Sequence, residues 1–157
     1  MKQNEKPFVF ALDLGGTNSV FGIVDSSGEI KASTSIKTQA YTTVEEYVAA
    51  SCQAVMTIVE ETGGMENIKA MGIGAPSANY YRGTIENAAN LVWGKGIVPL
   101  AKLFEDKLGV PVALTNDANA AALGEKWYGV AQGMNNFVEI TLGTGVGSGI
   151  VVNGQLL

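Results

Sequence analysis

Leu12-Asp13-Leu14-Gly15-Gly16-Thr17-Asn18, near the start of the chain, has a counterpart in Leu142-Gly143-Thr144-Gly145 near its end. Each stretch follows an apolar run and precedes a second one, so both are predicted to form strand, glycine turn and strand. Internal similarity of this kind indicates two homologous lobes. The second copy extends no further than its first hairpin. We therefore expect an N-terminal lobe over residues 1–115, followed over 116–157 by a crossover helix and the first hairpin of a truncated second lobe.

Between the two turns, strand-like and helix-like segments alternate. Thr43 and Glu46 have the spacing of a capping box and begin a helix that Gly63-Gly64 should end. Segment 75–97 is long and loop-rich, and loops of this length inside a compact domain more often have a function than serve only as a connection. The other predicted elements are strands at Phe8–Leu14, 20–25, Ile30–Lys37, 69–74, 110–115, Phe137–Leu142 and 150–152, helices from Pro99 to Gly109 and from Asn116 to Tyr128, and a glycine turn at 143–149. This order predicts an α/β fold with a mixed sheet flanked by helices.

Composition excludes several classes of function. With 157 residues, 46% apolar and 16% charged, the chain is long and apolar enough for a globular core. A net charge of −5 without a Lys/Arg cluster disfavours binding to nucleic acid or to an anionic membrane. There is no histidine, which excludes His-based triads and His-ligated metals within this chain. The one cysteine, Cys52, is interpreted as a core residue, and the absence of an apolar N-terminal run predicts a cytoplasmic protein.

Glycine turns at strand ends can direct backbone N–H groups toward a phosphate. The chain has no G-x-x-x-x-G-K-[ST] segment, which excludes a P-loop, and the second turn precedes a strand, which argues against a dinucleotide fingerprint. Asp13, just before the first turn, either caps that turn or holds Mg²⁺ beside the phosphates, directly or through water. Its apolar neighbours favour the second interpretation, because an idle carboxylate among them would be costly.

Asp117 lies at the junction of a predicted strand and an alanine-rich helix. It is either an ordinary N-cap or the base that accepts a proton from a hydroxyl attacking a γ-phosphate. Asn116 and, from the long loop, Asn90 are candidates for binding neighbouring hydroxyls, although asparagine is also a common turn residue. Trp93 is either a stacking platform or a lid over the core, and the second interpretation is favoured.

Taken together, these residues resemble the ROK family of bacterial sugar kinases and repressors. The resemblance covers about residues 8 to 155, and the Asn-Asp-Ala-Asn segment is its most telling part. Besides the two glycine stretches, the similar segments are Gly72-Ile73-Gly74-Ala75-Pro76, Asn87-Ala88-Ala89-Asn90-Leu91 and Asn116-Asp117-Ala118-Asn119-Ala120-Ala121-Ala122-Leu123-Gly124-Glu125.

The resemblance implies an actin-like ATPase lobe (ribonuclease H-like) that binds ATP and Mg²⁺ and transfers the γ-phosphate to a hexose, first of all to the 6-hydroxyl of glucose. Asp117 would be the catalytic base. The sugar site would comprise Gly74, Ala75, Pro76, Asn90, Asn116 and Asp117, and the nucleotide site Asp13, Gly15, Gly16, Thr17, Asn18, Gly143, Thr144 and Gly145. The family's zinc-binding cluster and most of its adenosine pocket follow the second phosphate motif. The chain alone is therefore expected to be inactive and without zinc, and the full-length protein to be a homo-oligomer. A non-catalytic sugar sensor remains the alternative.

Overall fold

A five-stranded mixed sheet organises the chain, whose computed structural model describes residues 6–143 and 145–157. In chain order, the strands and α-helices are β1 (Phe8–Leu14), β2 (Asn18–Asp25), β3 (Ile30–Lys37), α1 (Val44–Val59), β4 (Ile68–Ala75), β5 (Ala78–Asn79), β6 (Thr84–Glu86), β7 (Ile97–Val98), α2 (Leu100–Leu108), β8 (Val112–Asn116), α3 (Asp117–Tyr128), β9 (Phe137–Leu142), β10 (Val146–Val152) and β11 (Gln155–Leu156). Of the helices in this part of the chain, none combines the length and the apolar character needed to cross a membrane.

The central sheet has the strand order β3-β2-β1-β4-β8. The first three strands are antiparallel neighbours, whereas β1, β4 and β8 run parallel. The mixed sheet predicted from the sequence is therefore confirmed. Because β1, β4 and β8 are parallel, their carboxyl ends meet at one edge of the sheet, and the residues that follow them are brought together there.

Helices α1 and α2 cover one face of this sheet. Alternate residues of β1, among them Phe10 and Leu12, point into this layer and are buried. They pack with Tyr47 and Val48 of α1 and Phe104 of α2 in one apolar cluster. The period-2 pattern of the strand and the helical pattern of α1 therefore bury their apolar residues against each other. The capping box predicted for α1 is also present, with Thr43 and Glu46 each accepting from the other's backbone N–H.

Helix α3 lies against the opposite face, between the central sheet and the sheet β11-β10-β9. A Cβ added to Gly74 of β4 would lie 3.2 Å from the Ala120 side chain, and one added to Gly149 of β10 would overlap Ala122. Glycine on the strands and alanine on the helix thus allow close approach on both sides of α3. This contact explains why the helix is rich in alanine and why β10 contains glycine.

Segment 75–97 is more ordered than the sequence predicts. Its short strands form a second small sheet in the order β5-β6-β7, and Trp93 is buried against Tyr47, with the two rings stacked at 4.8 Å. The lid interpretation of Trp93 is therefore confirmed. Most of the segment is turns and bends, as the loop-rich pattern predicts. The short strands were not predicted because strands of two or three residues are too short to show a period in the sequence.

Several other predicted boundaries also differ from the structure, and two of them involve glycines. α1 ends at Val59, and a 3₁₀ turn continues to Gly63, whose φ of 86° ends the helical segment as the glycine pair predicted. The glycine-rich segment 143–149 is not a turn throughout, since β10 begins at Val146 and includes two of the glycines. Cys52 is half-buried and packs against the core, and burial raises the pKa of its thiol, in agreement with the interpretation of Cys52 as a core residue.

The outer face of the β9–β10 hairpin is apolar and exposed, with Val138, Ile140, Leu142 and Val146 each more than half exposed. Single exposed apolar residues are common, but contiguous patches mark contact surfaces. We expect this chain to form dimers through that face as its concentration rises, measured by light scattering. Ile140→Lys, which puts a charge in the middle of the face, should keep the chain monomeric. A wild-type chain that stays monomeric at high concentration would contradict this expectation.

Candidate active site

A cleft of about 1420 Å³ opens at the edge where the parallel strands end. Three of the residues singled out from the sequence line it: Asp13, Gly74 and Asp117. The hairpin after β4 contributes further residues that the sequence did not indicate, namely Ser77, Ala78, Asn79, Tyr80, Tyr81 and Glu86. These residues were missed because their membership in the cleft depends on how the small sheet packs, and no local motif marks it.

Strand register brings the acidic residues close together. Asp13 of β1 lies beside Gly74 of β4, which lies beside Thr115 of β8. Because neighbouring strands are about 4.8 Å apart, Asp13 and Thr115 are separated by about 10 Å. A Cβ built on Gly74 would lie 3.7 Å from the Asp117 Cα, so Gly74 fits closely between the two acids. The cleft thus has a carboxylate on each side of a glycine.

Asn116, and not Asp117, occupies the N-cap position of α3. The Asn116 backbone is extended, and its Oδ1 accepts from the Ala118 N–H at 3.0 Å. Asp117 is the first residue of the helix, and its side chain is exposed. Its Oδ1 also accepts from the Ala118 N–H, at 2.8 Å. Since Asn116 already caps the helix, the helix does not require an acid at position 117 for that purpose.

Asp13 is exposed in the cleft, so the expectation of a carboxylate surrounded by apolar side chains was wrong. Its position on β1 places it on the open face of the sheet, opposite the buried Leu12 and Leu14. Among the described residues, no group of three or more Cys, Asp or Glu side chains could hold a metal. A single carboxylate still fits Mg²⁺, which usually takes one or two carboxylates together with phosphate oxygens and water.

The first glycine turn leaves N–H groups available. Gly15 N–H donates to the Asn18 carbonyl at 3.0 Å and closes the turn. In the part of the chain that the structure describes, the N–H groups of Gly16 and Thr17 donate to no backbone acceptor. A Cβ on Gly15 would lie 2.7 Å from the Asn18 carbonyl oxygen, so the turn requires glycine there. Gly16 and Thr17 thus present the unpaired donors that a phosphate needs.

Asn90 packs on this turn and does not line the cleft. A Cβ on Gly16 would lie 3.0 Å from the Asn90 carbonyl oxygen and 3.2 Å from its Nδ2. The other members of the predicted sugar loop, Ala75 and Pro76, are likewise absent from the cleft lining, and Ala75 is fully buried. Asn116 lies next to the cleft without lining it.

Gly143 and Gly145, the described glycines of the second turn, do not line the cleft. Gly143 N–H donates to the Gly145 carbonyl at 2.9 Å, and a Cβ on either glycine would meet open space. Thr144 lies outside the described residues. Among the described residues from β9 onward, those that line the cleft are Thr141, Leu156 and Leu157.

A buried chain of hydroxyl groups supports the first turn, and the sequence did not indicate it. The hydroxyl groups of Tyr47, Ser19 and Thr38 are linked at 2.8 Å each, and the Thr38 hydroxyl donates to the Gly15 carbonyl at 2.8 Å. The Thr38 N–H also donates to the Thr17 carbonyl at 2.9 Å. All three side chains are buried, and burial raises the pKa of Tyr47 to about 12. These residues are far apart in sequence, so only the fold brings them together.

Replacing Thr38 with Val should therefore destabilise the chain. The change removes the donor to the partly buried Gly15 carbonyl and one of the two partners of the Ser19 hydroxyl, which keeps Tyr47. We expect the free energy of unfolding to fall by about 2 kcal/mol in urea denaturation. Thr38→Ser should recover most of that loss. The exposed Thr57 on α1 offers a control, and Thr57→Val should change stability by less than about 0.5 kcal/mol. Equal stabilities for Thr38→Val and wild type would show that the hydroxyl chain does not support the turn.

The comparisons with known proteins agree with this geometry. The sequence model of the ROK family matches residues 9–157. The glucokinase of Streptomyces coelicolor is 39% identical over 146 residues, which are 92% of this chain and 44% of that protein. The crystal structure of a ROK family glucokinase from Streptomyces griseus in complex with glucose and AMPPNP superposes with a TM-score of 0.82 at 38% identity, over 96% of this chain and 46% of that one.

A ROK family transcriptional regulator, a homologue of the E. coli MLC protein, superposes with a TM-score of 0.82 over 96% of this chain and 38% of that one. At 22% identity it shows a shared fold only. The chain spans slightly less than half the length of the curated relatives it matches. The expected actin-like ATPase fold is confirmed by the ROK sugar kinase structures. The family match over nearly the whole chain establishes that this chain belongs to the ROK family.

Proposed function

We propose that the complete protein is an ATP-dependent sugar kinase that transfers the γ-phosphate of ATP to the 6-hydroxyl of a hexose, with glucose as the first choice. The observation that carries the proposal is the exposed carboxylate of Asp117 in the cleft, beside a helix cap that Asn116 already provides. The glucokinase names of the relatives support glucose as the acceptor. Such a kinase would work in the cytoplasm, where ATP is supplied.

Asp117 is the base in this proposal. Its carboxylate accepts the proton of the hexose hydroxyl, and the hydroxyl oxygen forms a bond to the γ-phosphorus. The bond from that phosphorus to the bridging oxygen breaks at the same time, and ADP leaves with the electron pair. The second carboxylate oxygen of this exposed side chain suits the role, since only Oδ1 contacts the Ala118 N–H.

Other residues would bind and orient the reactants. The N–H groups of Gly16 and Thr17 would hold phosphate oxygens, together with Asn18 and the second turn at Gly143, Thr144 and Gly145. Asp13 would hold Mg²⁺, directly or through water, and the ion when bound would offset phosphate charge. The sugar would contact Gly74 and the amide of Asn116, whose Nδ2 is left free by the cap. Asn90, Ala75 and Pro76 would contribute by shaping the surrounding loops.

The organisation of the complete protein is part of the same proposal. Residues 1–115 would form the N-terminal lobe, and 116–157 the crossover helix and first hairpin of the second. Because the remaining half of the relatives' length would carry the rest of the nucleotide site and any zinc site, residues 1–157 alone would bind reactants weakly and transfer no phosphate. The exposed face of β9 and β10 would be covered in the complete, homo-oligomeric protein.

A coupled assay of ADP release over a panel of hexoses tests the proposal on the chain extended through its second lobe. We expect turnover with glucose, or with one other hexose of the panel, and little ADP release without sugar. Tight hexose binding without turnover would favour a non-catalytic sugar sensor. ADP release that does not depend on any sugar would favour an actin-like ATPase instead.

A further inference from the structure

The buried chain of hydroxyl groups beneath the first glycine turn donates in one direction. The Thr38 hydroxyl has a single hydrogen and donates it to the Gly15 carbonyl, which can only accept. In its bond to Ser19, the Thr38 oxygen must therefore accept. Ser19 uses its own hydrogen in that bond, so it must accept from Tyr47. Donation thus runs from the tyrosine through the serine and the threonine, and the last hydrogen is aimed at the carbonyl.

The Gly15 carbonyl belongs to the same peptide unit as the Gly16 N–H. Such a unit is planar and trans, so its carbonyl and its N–H point in opposite directions. Holding the carbonyl toward Thr38 therefore points the Gly16 N–H away from Thr38, and among the described residues that N–H donates to no backbone acceptor. Because the unit lies between two glycines, no Cβ restricts its rotation. The Thr38 hydroxyl thus supplies a restraint that the glycines lack.

Thr38 also holds the turn at its other end. Its N–H donates to the Thr17 carbonyl at 2.9 Å, which restrains the peptide unit between Thr17 and Asn18 in the same way. The peptide unit between the two restrained ones carries the Thr17 N–H, the second donor proposed to hold phosphate. A donor that is oriented before its ligand arrives loses little conformational freedom on binding. An accepting carbonyl also polarises its own peptide unit and strengthens the N–H as a donor.

Tyr47 anchors this restraint in the core. Its side chain is fully buried, and its ring stacks on Trp93 with the centroids 4.8 Å apart. The segment of Trp93 also carries Asn90, which packs so closely on Gly16 that an added Cβ would lie 3.0 Å from the Asn90 carbonyl oxygen. The hydroxyl chain and the Asn90 contact thus both hold the turn, and the residues behind them meet at one tyrosine ring. All of these contacts lie between residues 15 and 93.

We propose that Thr38 is a positioning residue for the phosphates of ATP, and that Ser19 and Tyr47 hold its hydroxyl in the orientation this role requires. The inference rests on the proposed function for the identity of the ligand. Thr38 touches no phosphate itself and acts through the Gly16 N–H. Without its hydroxyl the free turn would sample orientations that do not bind, and the apparent affinity for ATP would fall by the fraction that stays competent. The contacts to the sugar would be unaffected.

Thr38→Val keeps the size of the side chain and removes its hydroxyl, so it tests the inference in the complete protein, assayed well below its unfolding temperature. We expect the KM for ATP to rise about tenfold, as it would if about a tenth of the free turns kept the Gly16 N–H in place. The KM for glucose and kcat should stay within about twofold of wild type. Thr38→Ser, which keeps the donor, should restore the KM for ATP. Tyr47→Phe keeps the ring and its stack on Trp93, and the loss of its hydroxyl alone should raise the KM for ATP about threefold.

Two control variants on α1 separate this effect from a general loss of stability. Thr57→Val removes the hydroxyl of an exposed threonine and should leave the KM for ATP unchanged. Val55→Ala truncates a buried side chain outside the hydroxyl chain, so it should destabilise the protein and still leave the KM for ATP within about twofold. A rise in Val55→Ala as large as that in Thr38→Val would overturn the inference, because the effect would then belong to stability.

Calorimetric binding of the ATP analogue AMPPNP with Mg²⁺, without sugar, separates this inference from the proposed function. Binding that is about tenfold weaker in Thr38→Val and recovers in Thr38→Ser supports the inference even if no sugar is phosphorylated. If Thr38→Val and wild type had the same KM for ATP and the same affinity for AMPPNP, the inference would be overturned even with glucose phosphorylated. A KM for glucose that rises as much as the KM for ATP would also overturn it, because Thr38 would then act on the whole site.

Discussion

Asp117→Asn in the complete protein should lower kcat for hexose phosphorylation by a factor of about 10³, the usual contribution of a positioned general base. The amide keeps the size of the side chain but cannot accept the hydroxyl proton. Hexose affinity should stay within about threefold, because the contacts of Asn116 and Gly74 are unchanged. Stability should also stay close to wild type, since Asn116 continues to cap the Ala118 N–H.

Asp106→Asn is the matched control for this change. Asp106 is an exposed acid on α2 that pairs with Lys102 and does not line the cleft. Asp106→Asn should leave kcat within about twofold of the wild-type value, because a surface ion pair of this kind contributes little to stability. If Asp117→Asn retained more than a tenth of the wild-type kcat, Asp117 would be an ordinary acid at a helix start. If the variant lost hexose binding along with turnover, its role would be binding and not proton transfer.

Gly149→Ala should destabilise the chain by about 3 kcal/mol or more. The added Cβ would overlap the Ala122 side chain and would lie 2.7 Å from the Ala118 carbonyl oxygen. Backbone cannot move aside as a flexible side chain can, so the β9–β10 hairpin would have to separate from α3. Urea denaturation followed by circular dichroism should show the lower midpoint.

The same substitution in α3 gives a control with the opposite sign. Gly124 is an exposed helical residue, and a Cβ there would meet open space. Gly124→Ala should therefore raise the free energy of unfolding by about 0.5–1 kcal/mol, through its higher helix propensity. If Gly149→Ala were as stable as wild type, the close packing of β10 on α3 would not hold the hairpin in place.

Elements with strong local signals could be predicted from the sequence. The capping box at Thr43 and Glu46 begins α1, Gly109 with a φ of 69° ends α2, and the apolar run Phe8–Leu14 is the central strand. Each of these is encoded within a few consecutive residues. The family motifs also led to Asp13, Gly74 and Asp117, which share a cleft because register aligns the ends of their strands.

Features that depend on packing between distant segments could not be predicted. The exposure of Asp13 follows from which face of β1 it occupies, and its apolar sequence neighbours gave the wrong answer. Gly149 of β10 was assigned to a turn, because the residue that requires glycine at this position, Ala122, lies on another element. The link from Thr38 to Gly15 is likewise a product of tertiary structure.

The most direct test of the account follows the label from [γ-³²P]ATP when the complete protein is mixed with glucose and Mg²⁺. The account predicts that the label appears in hexose phosphate, that its appearance requires both the sugar and Asp117, and that little inorganic phosphate forms. Label released only as inorganic phosphate, at a rate that glucose does not change, would contradict it and leave the cleft as the site of an ATPase.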